Sequence, residues 1–376
     1  MAQAAAPPRD IPLRIQDFSP GFASSTPRQT ELKEARNVEM TRTGSMKARL
    51  GYAQVGTTIS GGPALLGVFD FTRYSGTIQF LALRSGNLHQ YNTSTLVWDV
   101  KSAFGGTQTQ RFKMIEYKDE FVYANPDKIN PFAPRRWSGT TDQAITGAPV
   151  EAQHLLVANN MLFMAKDHRL SFTDVDSWSF PSTNWIDVDN QAGTKITGLS
   201  MMQGNVVIWK HGGHHVLFGR DPSSFILQPV TRTAGNEAED GPIYEKNSLF
   251  VLQEQRPVAW TGGRYSRIAR QLTADIKNLI GAYDGERLML WNATDSLLYV
   301  FNETYGHWTR FALANGVNCI NYFRTQNLTG QTPGIYFGTN DGKVFQMGSG
   351  TTDGGSVISA IVQTEDQDMG QPEVVK

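Results

Sequence analysis

Short apolar runs recur along this chain at intervals of about 40–45 residues. They are Ile78-Gln79-Phe80-Leu81-Ala82-Leu83, Phe121-Val122-Tyr123, Met161-Leu162-Phe163-Met164, Val206-Val207-Ile208-Trp209, Leu249-Phe250-Val251-Leu252, Leu288-Met289-Leu290-Trp291 and Ile335-Tyr336-Phe337. A strand that is apolar at every position is covered on both faces. After each run come a turn and a more alternating strand, as in Asn87–Tyr91 and Lys343–Met347. Several units then add a strand with an aromatic residue and a polar edge, as in Leu96–Val100, Asn184–Val188 and His307–Phe311. Ser85-Gly86-Asn87, Asp284-Gly285 and Asn340-Asp341-Gly342 supply the positive φ that tight hairpins require.

This period and strand order predict an all-β chain, a β-propeller of four-stranded blades in which the apolar runs are the inner strands. Seven blades fit between Leu65 and Met347, with six as the alternative because the last two units drift in period. The final unit lacks an outer strand, and a ring left open there has two free edges. Two segments can supply the strand. One is Met46–Val55; the other is Val357–Thr364, beyond the glycine-rich stretch from Gly348 to Gly355. The first is preferred because it directly precedes the first blade.

The flanks divide the chain further. Residues 1–36 read as an extended arm broken by Pro7-Pro8, Pro20 and Pro27, ending in a short helix over Gln29–Arg36, where helix formers are dense. A second dense stretch is Leu272–Ile280. Asn37–Tyr52 reads as a hairpin turning at Thr43-Gly44, its second strand ending in Arg49-Leu50-Gly51-Tyr52. The propeller occupies 37–348, and 349–376 forms an exit strand or tail.

Composition narrows the function. The formal net charge is −1, which disfavours broad affinity for phosphate backbones. The single cysteine, Cys319, allows no internal disulfide and reads as a buried small hydrophobe. No apolar run approaches the ~20 residues of a membrane span, and the first residues lack the pattern of a secretory signal. A soluble protein made in a reducing cytoplasm, without membrane contact, is expected.

No stretch carries a strong catalytic motif. His211, His214 and His215 form the densest histidine cluster and are the candidates for a metal. Neighbouring strand residues point to opposite faces, however, so His214 and His215 oppose each other. Arg135 and Arg136, beside Trp137, are candidate channel or partner contacts for a phosphate backbone. The competing assignment is a solvated turn with Trp137 packed on the next blade. Asp167, Asp174, Asp176, Asp187 and Asp189 could pair as glycosidase carboxylates or simply serve polar turns. Asn92, Asn292, Asn302 and Asn327 begin Asn-x-Ser/Thr triplets and read as turn residues. Neither a nucleophile elbow nor a phosphate loop occurs, so the chain is read as non-enzymatic and without cofactors.

One further pattern spans both ends. Phe18-Ser19-Pro20-Gly21, Leu32–Val38, Gly44 and Arg49-Leu50-Gly51-Tyr52, together with Asn340–Met347 and Thr352–Ile358, resemble the start and closing blade of bacteriophage tail nozzle and head-completion β-propeller proteins of the short-tailed type. The resemblance implies a virion structural protein. It would form a homo-oligomeric ring, sixfold, on the tail axis, in contact with the portal adaptor and tail or tail-fibre proteins. The ring would continue or gate the channel through which double-stranded DNA passes. The N-terminal arm would dock on a neighbouring subunit. Synthesis would take place in a bacterial host cytoplasm. The rival class is a carbohydrate-binding or glycoside-hydrolase propeller with Trp185, Trp209 and Trp291 as sugar platforms.

Overall fold

The computed structural model describes residues 32–40, 46–62, 64–189, 195–245, 248–268, 276, 279–304, 306–313, 316–323 and 333–364. These form a seven-bladed β-propeller. Blade 1 runs from Leu65 to Ala103, blade 2 from Lys113 to Ala144 and blade 3 from His154 to Asp187. Blade 4 runs from Ile196 to Thr231, blade 5 from Ile243 to Arg267 and blade 6 from Ile280 to Ala312. Blade 7 takes three strands from Val317 to Met347 and its fourth from Tyr52–Gln54. The short 3-10 turn Pro222–Ser224 is the only helical element among the described residues.

All seven apolar runs lie on the second strand of their blade rather than on the innermost. Their side chains alternate between two seams. In Val206–Trp209, Val206 and Ile208 pack with Phe163 and Ala165 of blade 3, while Val207 and Trp209 pack with Leu249 and Val251 of blade 5. In Leu288–Trp291, Leu288 and Leu290 join Phe250 and Leu252, while Met289 and Trp291 join Ile335 and Phe337. Both faces are therefore covered, and the continuous apolar pattern follows.

The innermost strands are the first of each blade. They lie side by side around the axis: Leu65–Thr72 against Val317–Phe323, and that strand against Ile280–Tyr283. Space is tight at the axis. A Cβ added to Gly198 would lie 2.4 Å from Pro242 Cδ. These strands also shift register near their starts, at Leu65/Gly67, Ile196/Gly198 and Val317/Cys319. Glycine and bulges break the apolar pattern, so the innermost strands carry the weaker sequence signal.

The ring closes through the N-terminal side. Tyr52–Gln54 pairs antiparallel with Val344–Met347, with Met347 opposite Tyr52 and Phe345 opposite Gln54. Tyr52 sits edge-on to Phe337 and Phe345 at 5.2 and 4.9 Å. Of Met46–Val55, the stretch from Tyr52 onward reaches blade 7, with Val55 N also donating to Val344 O at 2.8 Å. Met46–Ala48 pairs instead with Val38–Met40 as a separate hairpin, whose turn at Thr43-Gly44 lies outside the described residues.

The arm departs from expectation. Leu32–Arg36 is a strand, not the end of a helix. It lies between His307–Ala312, parallel to it, and Ile361–Thr364, antiparallel to it. The unpaired edge of blade 6 captures a segment whose own propensity favours helix, and the ladder outweighs propensity. The C-terminal segment does not close blade 7 either. Thr352–Asp353 and Ser356–Val357 extend that blade beyond Tyr52–Gln54, and Ile361–Thr364 crosses to blade 6. Residues 1–31 and 365–376 lie outside the described residues, as does most of the dense stretch ending at Ile280, which itself begins a strand.

Candidate functional site

Two places concentrate buried polar chemistry. The first joins the chain ends. Asn37 adopts φ 57°, in the left-handed region that asparagine tolerates better than most residues. Its Nδ2 donates to Ser359 O at 2.7 Å, and its Oδ1 accepts from Arg49 Nε at 3.1 Å and Ala312 N at 2.9 Å. The Arg49 guanidinium is buried. It donates to Asp353 Oδ1 at 2.8 Å and Oδ2 at 2.5 Å, and to the carbonyls of Leu50 and Ala312 at 2.9 Å each. It also lies 5.2 Å from the centre of the Phe311 ring. Gly51 lies so close to the C-terminal segment that an added Cβ would fall 1.9 Å from Thr352 O. Gly51 O accepts from Gly348 N and Ser349 N, and Tyr52 O accepts from Gly354 N. One arginine, fully satisfied by a bidentate carboxylate and two carbonyls, thus ties the opening hairpin to blade 6 and to the chain's last strands.

The second place is the axial channel. Arg111 leads into blade 2 and Asp240 into blade 5, on opposite sides of the ring. Arg111 Nε and Nη2 donate to Asp240 Oδ1 and Oδ2 at 3.2 and 2.5 Å, and Lys113 Nζ donates to Oδ1 at 3.1 Å. Burial disfavours the charged Asp240, but Lys113 and Arg111 outweigh it and hold the carboxyl well below the usual carboxylate range. Beside the tie, His154 Nε2 lies 3.2 Å from Ile196 O. Burial and then the charge of Lys113 push this imidazole down to about 3, so it is neutral near pH 7.

Cavities of about 330 and 370 Å³ share these residues. The first is walled by Leu66, Phe69, Leu199 and Ile320, the second by Gln110, Lys128, Lys195 and Glu239. The acids at the mouth are spent. Asp127 accepts from Thr109 and from the backbone of Ile129 and Asn130, and Glu239 pairs with Lys195 at 2.5 Å, while Lys128 of the second cavity's wall pairs with Asp167 at 3.1 Å. Cavities of this size have room for a small solute and not for a DNA duplex.

The expected site residues fall elsewhere and do not converge. His214 and His215 are buried on opposite faces of one strand, and His211 is exposed. His214 packs against Trp209 and Trp260, and its Nδ1 lies 3.1 Å from the Tyr265 hydroxyl. Among the described residues no three His, Cys, Asp or Glu side chains are placed to hold a metal. Arg135 and Arg136 sit on a strand, not a turn. Arg135 pairs with Asp142 at 2.9 Å; Arg136 pairs with Glu120 at 3.1 Å and lies 4.5 Å from the Trp178 ring centre. Both are used internally rather than offered to phosphate. Trp137 Nε1 donates to Gln79 Oε1 at 2.9 Å, so it packs on the preceding blade, not the next.

Asp174, in a turn, accepts from Asn184, while Asp187 sits on a strand and pairs across it with Arg169, so both carboxylates are engaged by neighbouring side chains. Asn92 and Asn292 accept turn backbone N–H groups at Ser94 and Thr294, while Asn327 lies outside the described residues. Cys319 is buried as expected. Trp209 and Trp291 are buried, and the half-exposed Trp185 is covered by Arg169 at 4.0 Å, so the three do not form sugar platforms. The Arg111–Asp240 tie and Asp353 escaped the sequence because their partners are distant in the chain and no local spacing marks them.

No family model and no curated protein matches the chain. Solved structures share its fold. The extracellular domain of a hybrid two component system, BT4673 from B. thetaiotaomicron, aligns with TM-score 0.57 and 11% identity over 79% of this chain and 40% of that one. PorZ, a bacterial surface component of the type-IX secretion system of Porphyromonas gingivalis, aligns with TM-score 0.52 and 11% identity over 84% and 40%. The chain spans well under half of each. These likenesses place it among β-propellers.

Proposed function

We propose that this chain is a non-enzymatic structural protein of a bacteriophage virion, one subunit of a ring on the tail axis in a nozzle or head-completion position. One observation carries the reading. The residues that resemble the phage propellers, Asn37, Arg49, Gly51 and Tyr52 with the segment around Asp353, are the ones that build the buried junction of the two chain ends. A recurring motif without catalytic chemistry is accounted for if it fixes the ends of a part that must assemble.

Two further features are consistent with this reading. The propeller's own channel is crossed by the Arg111–Asp240 tie, so a passage for DNA would lie between subunits rather than through a blade ring. The near-neutral charge suits a wall past which DNA slides without being gripped. Electron microscopy of the purified chain and of particles produced with it tests the proposal. A multimeric ring and matching density on the tail axis are expected. Absence of the chain from purified particles overturns it.

A further inference from the structure

The axial cluster holds more positive charge than it answers. Among the described residues, the charged side chains on the wall of the first cavity, of about 330 Å³, are Arg111, Lys113 and Asp240. Two cations thus face one carboxylate. His154 is neutral near pH 7, and burial pushes the Cys319 thiol up to about 12, so neither offsets the surplus. A charge shielded from water calls for a counter-charge.

Hydrogen-bonding capacity is left over as well. Asp240 takes Nε and Nη2 of Arg111, and among the described residues Nη1 has no partner. Lys113 Nζ gives two of its three N–H groups to Asp240, at Oδ1 and at the carbonyl, 3.1 and 3.4 Å away. Beside them His154 is 5% exposed. Its Nε2 faces the Ile196 carbonyl, which can only accept, so Nε2 holds the proton and Nδ1 is a bare acceptor. Nδ1 has no partner among the described residues. It lies 3.7 Å from where a Cβ on Gly241 would stand, and the absent side chain leaves room beside it on the wall of the same cavity. Leu66, Phe69, Leu199 and Ile320 make the apolar part of that wall. A mostly apolar chamber with a few fixed polar groups is the build of a small-molecule site.

We propose that the first axial cavity binds a small organic monoanion: a carboxylate accepting from Arg111 Nη1 and the remaining N–H of Lys113, with its hydrocarbon part against Leu66, Phe69, Leu199 and Ile320 and a hydroxyl donating to His154 Nδ1. One negative charge brings the cluster to neutrality. Inorganic phosphate, largely doubly charged near neutral pH, overshoots it and gains nothing from the apolar wall. The site does not depend on the virion reading, since it lies within one propeller.

The test uses the full-length chain near neutral pH at low ionic strength. Para-hydroxybenzoate and benzoate are the probes, followed by saturation-transfer NMR, with inorganic phosphate as competitor. Saturable binding is expected, roughly fivefold tighter for para-hydroxybenzoate than for benzoate and only weakly displaced by phosphate. Lys113→Met leaves Asp240 with both bonds from Arg111, so the thermal midpoint should hold while affinity falls at least roughly tenfold. Lys113→Arg keeps the charge and should retain most of the affinity. Ile320→Trp fills the cavity from its half-buried wall without touching the charges and should exclude both probes. His154→Phe should abolish the preference for para-hydroxybenzoate while benzoate still binds. The proposal is overturned by the absence of saturable binding, by phosphate competing as well as para-hydroxybenzoate does, or by undiminished binding in a folded Lys113→Met or Ile320→Trp chain. Equal affinity for the two probes in the wild type overturns the contact assigned to His154.

Discussion

Arg49 shows how much one residue settles in this ring. Its charge is buried and answered by Asp353 from the far end of the chain, with Asn37 and two carbonyls taking its remaining donors. A buried pair is worth little against an apolar replacement of both members, but breaking it from one side strands the partner. Arg49→Met is therefore expected to cost about 3–5 kcal/mol in urea unfolding, because Asp353 is left buried without its cation. The double variant Arg49→Met with Asp353→Leu should recover a large part of that loss. A double variant no better than the single one would show that the carbonyl and Phe311 contacts, rather than the charge pair, hold the junction. Gly51 makes the same point through backbone. With Thr352 O 1.9 Å from an added Cβ, Gly51→Ala must push the terminal segment away, and about 1–3 kcal/mol is expected in the same assay.

At the scale of elements, the junction predicts that the two chain ends hold each other. Ending the chain at Gly350 removes Asp353 and the strand Ile361–Thr364, so Leu32–Arg36 loses its antiparallel partner and keeps only the pairing at Arg310. Limited proteolysis should then cut first between Arg36 and Arg49, while the seven blades stay resistant; equal resistance in the full chain and the shortened one would refute the idea. The same strands mark what the sequence made legible. Every second strand was visible because its side chains serve two seams at once, as Val207 and Ile208 do. The innermost strands were masked by Gly67, Gly198 and Gly281, where crowding at the axis replaces apolar side chains with none. Leu32–Arg36 was misread because five helix-compatible residues carry no trace of the blade 6 edge that captures them. The channel tie was invisible for a related reason: Arg111 and Asp240 meet only because seven blades bring opposite sides of a ring together.

For the whole molecule, the seams between blades store a pH dependence. His89 in blade 1 is pushed down to about 4 by burial and then by the charge of Arg84. His154 in blade 3 is pushed down to about 3 by burial and Lys113, and His307 in blade 6 to about 4 by burial. His214 and His215 are shifted in the same direction, again chiefly by burial. A histidine with a lowered folded pKa stays neutral in the ring while the unfolded chain begins to bind a proton near its ordinary value of about 6.5. The unfolded state therefore binds more protons across the window from about 6.5 down to about 4, and stability must fall as pH falls through it. Each such proton contributes a slope of about 1.4 kcal/mol per pH unit where the two states differ fully. Asp240 adds to the loss only lower, as its unfolded carboxyl takes up protons around and below pH 4, so the histidines act first. Urea unfolding at steps between pH 8 and pH 4 should give a plateau above pH 7 and a decline beginning near 6.5. His307→Gln should reduce the slope by close to one proton, since burial is the only cause found for its shift. A stability that stays level from pH 7 to pH 5 would mean that the unfolded chain gains no protons over the ring there, and the seams would have to be held neutral by some other means than buried imidazole.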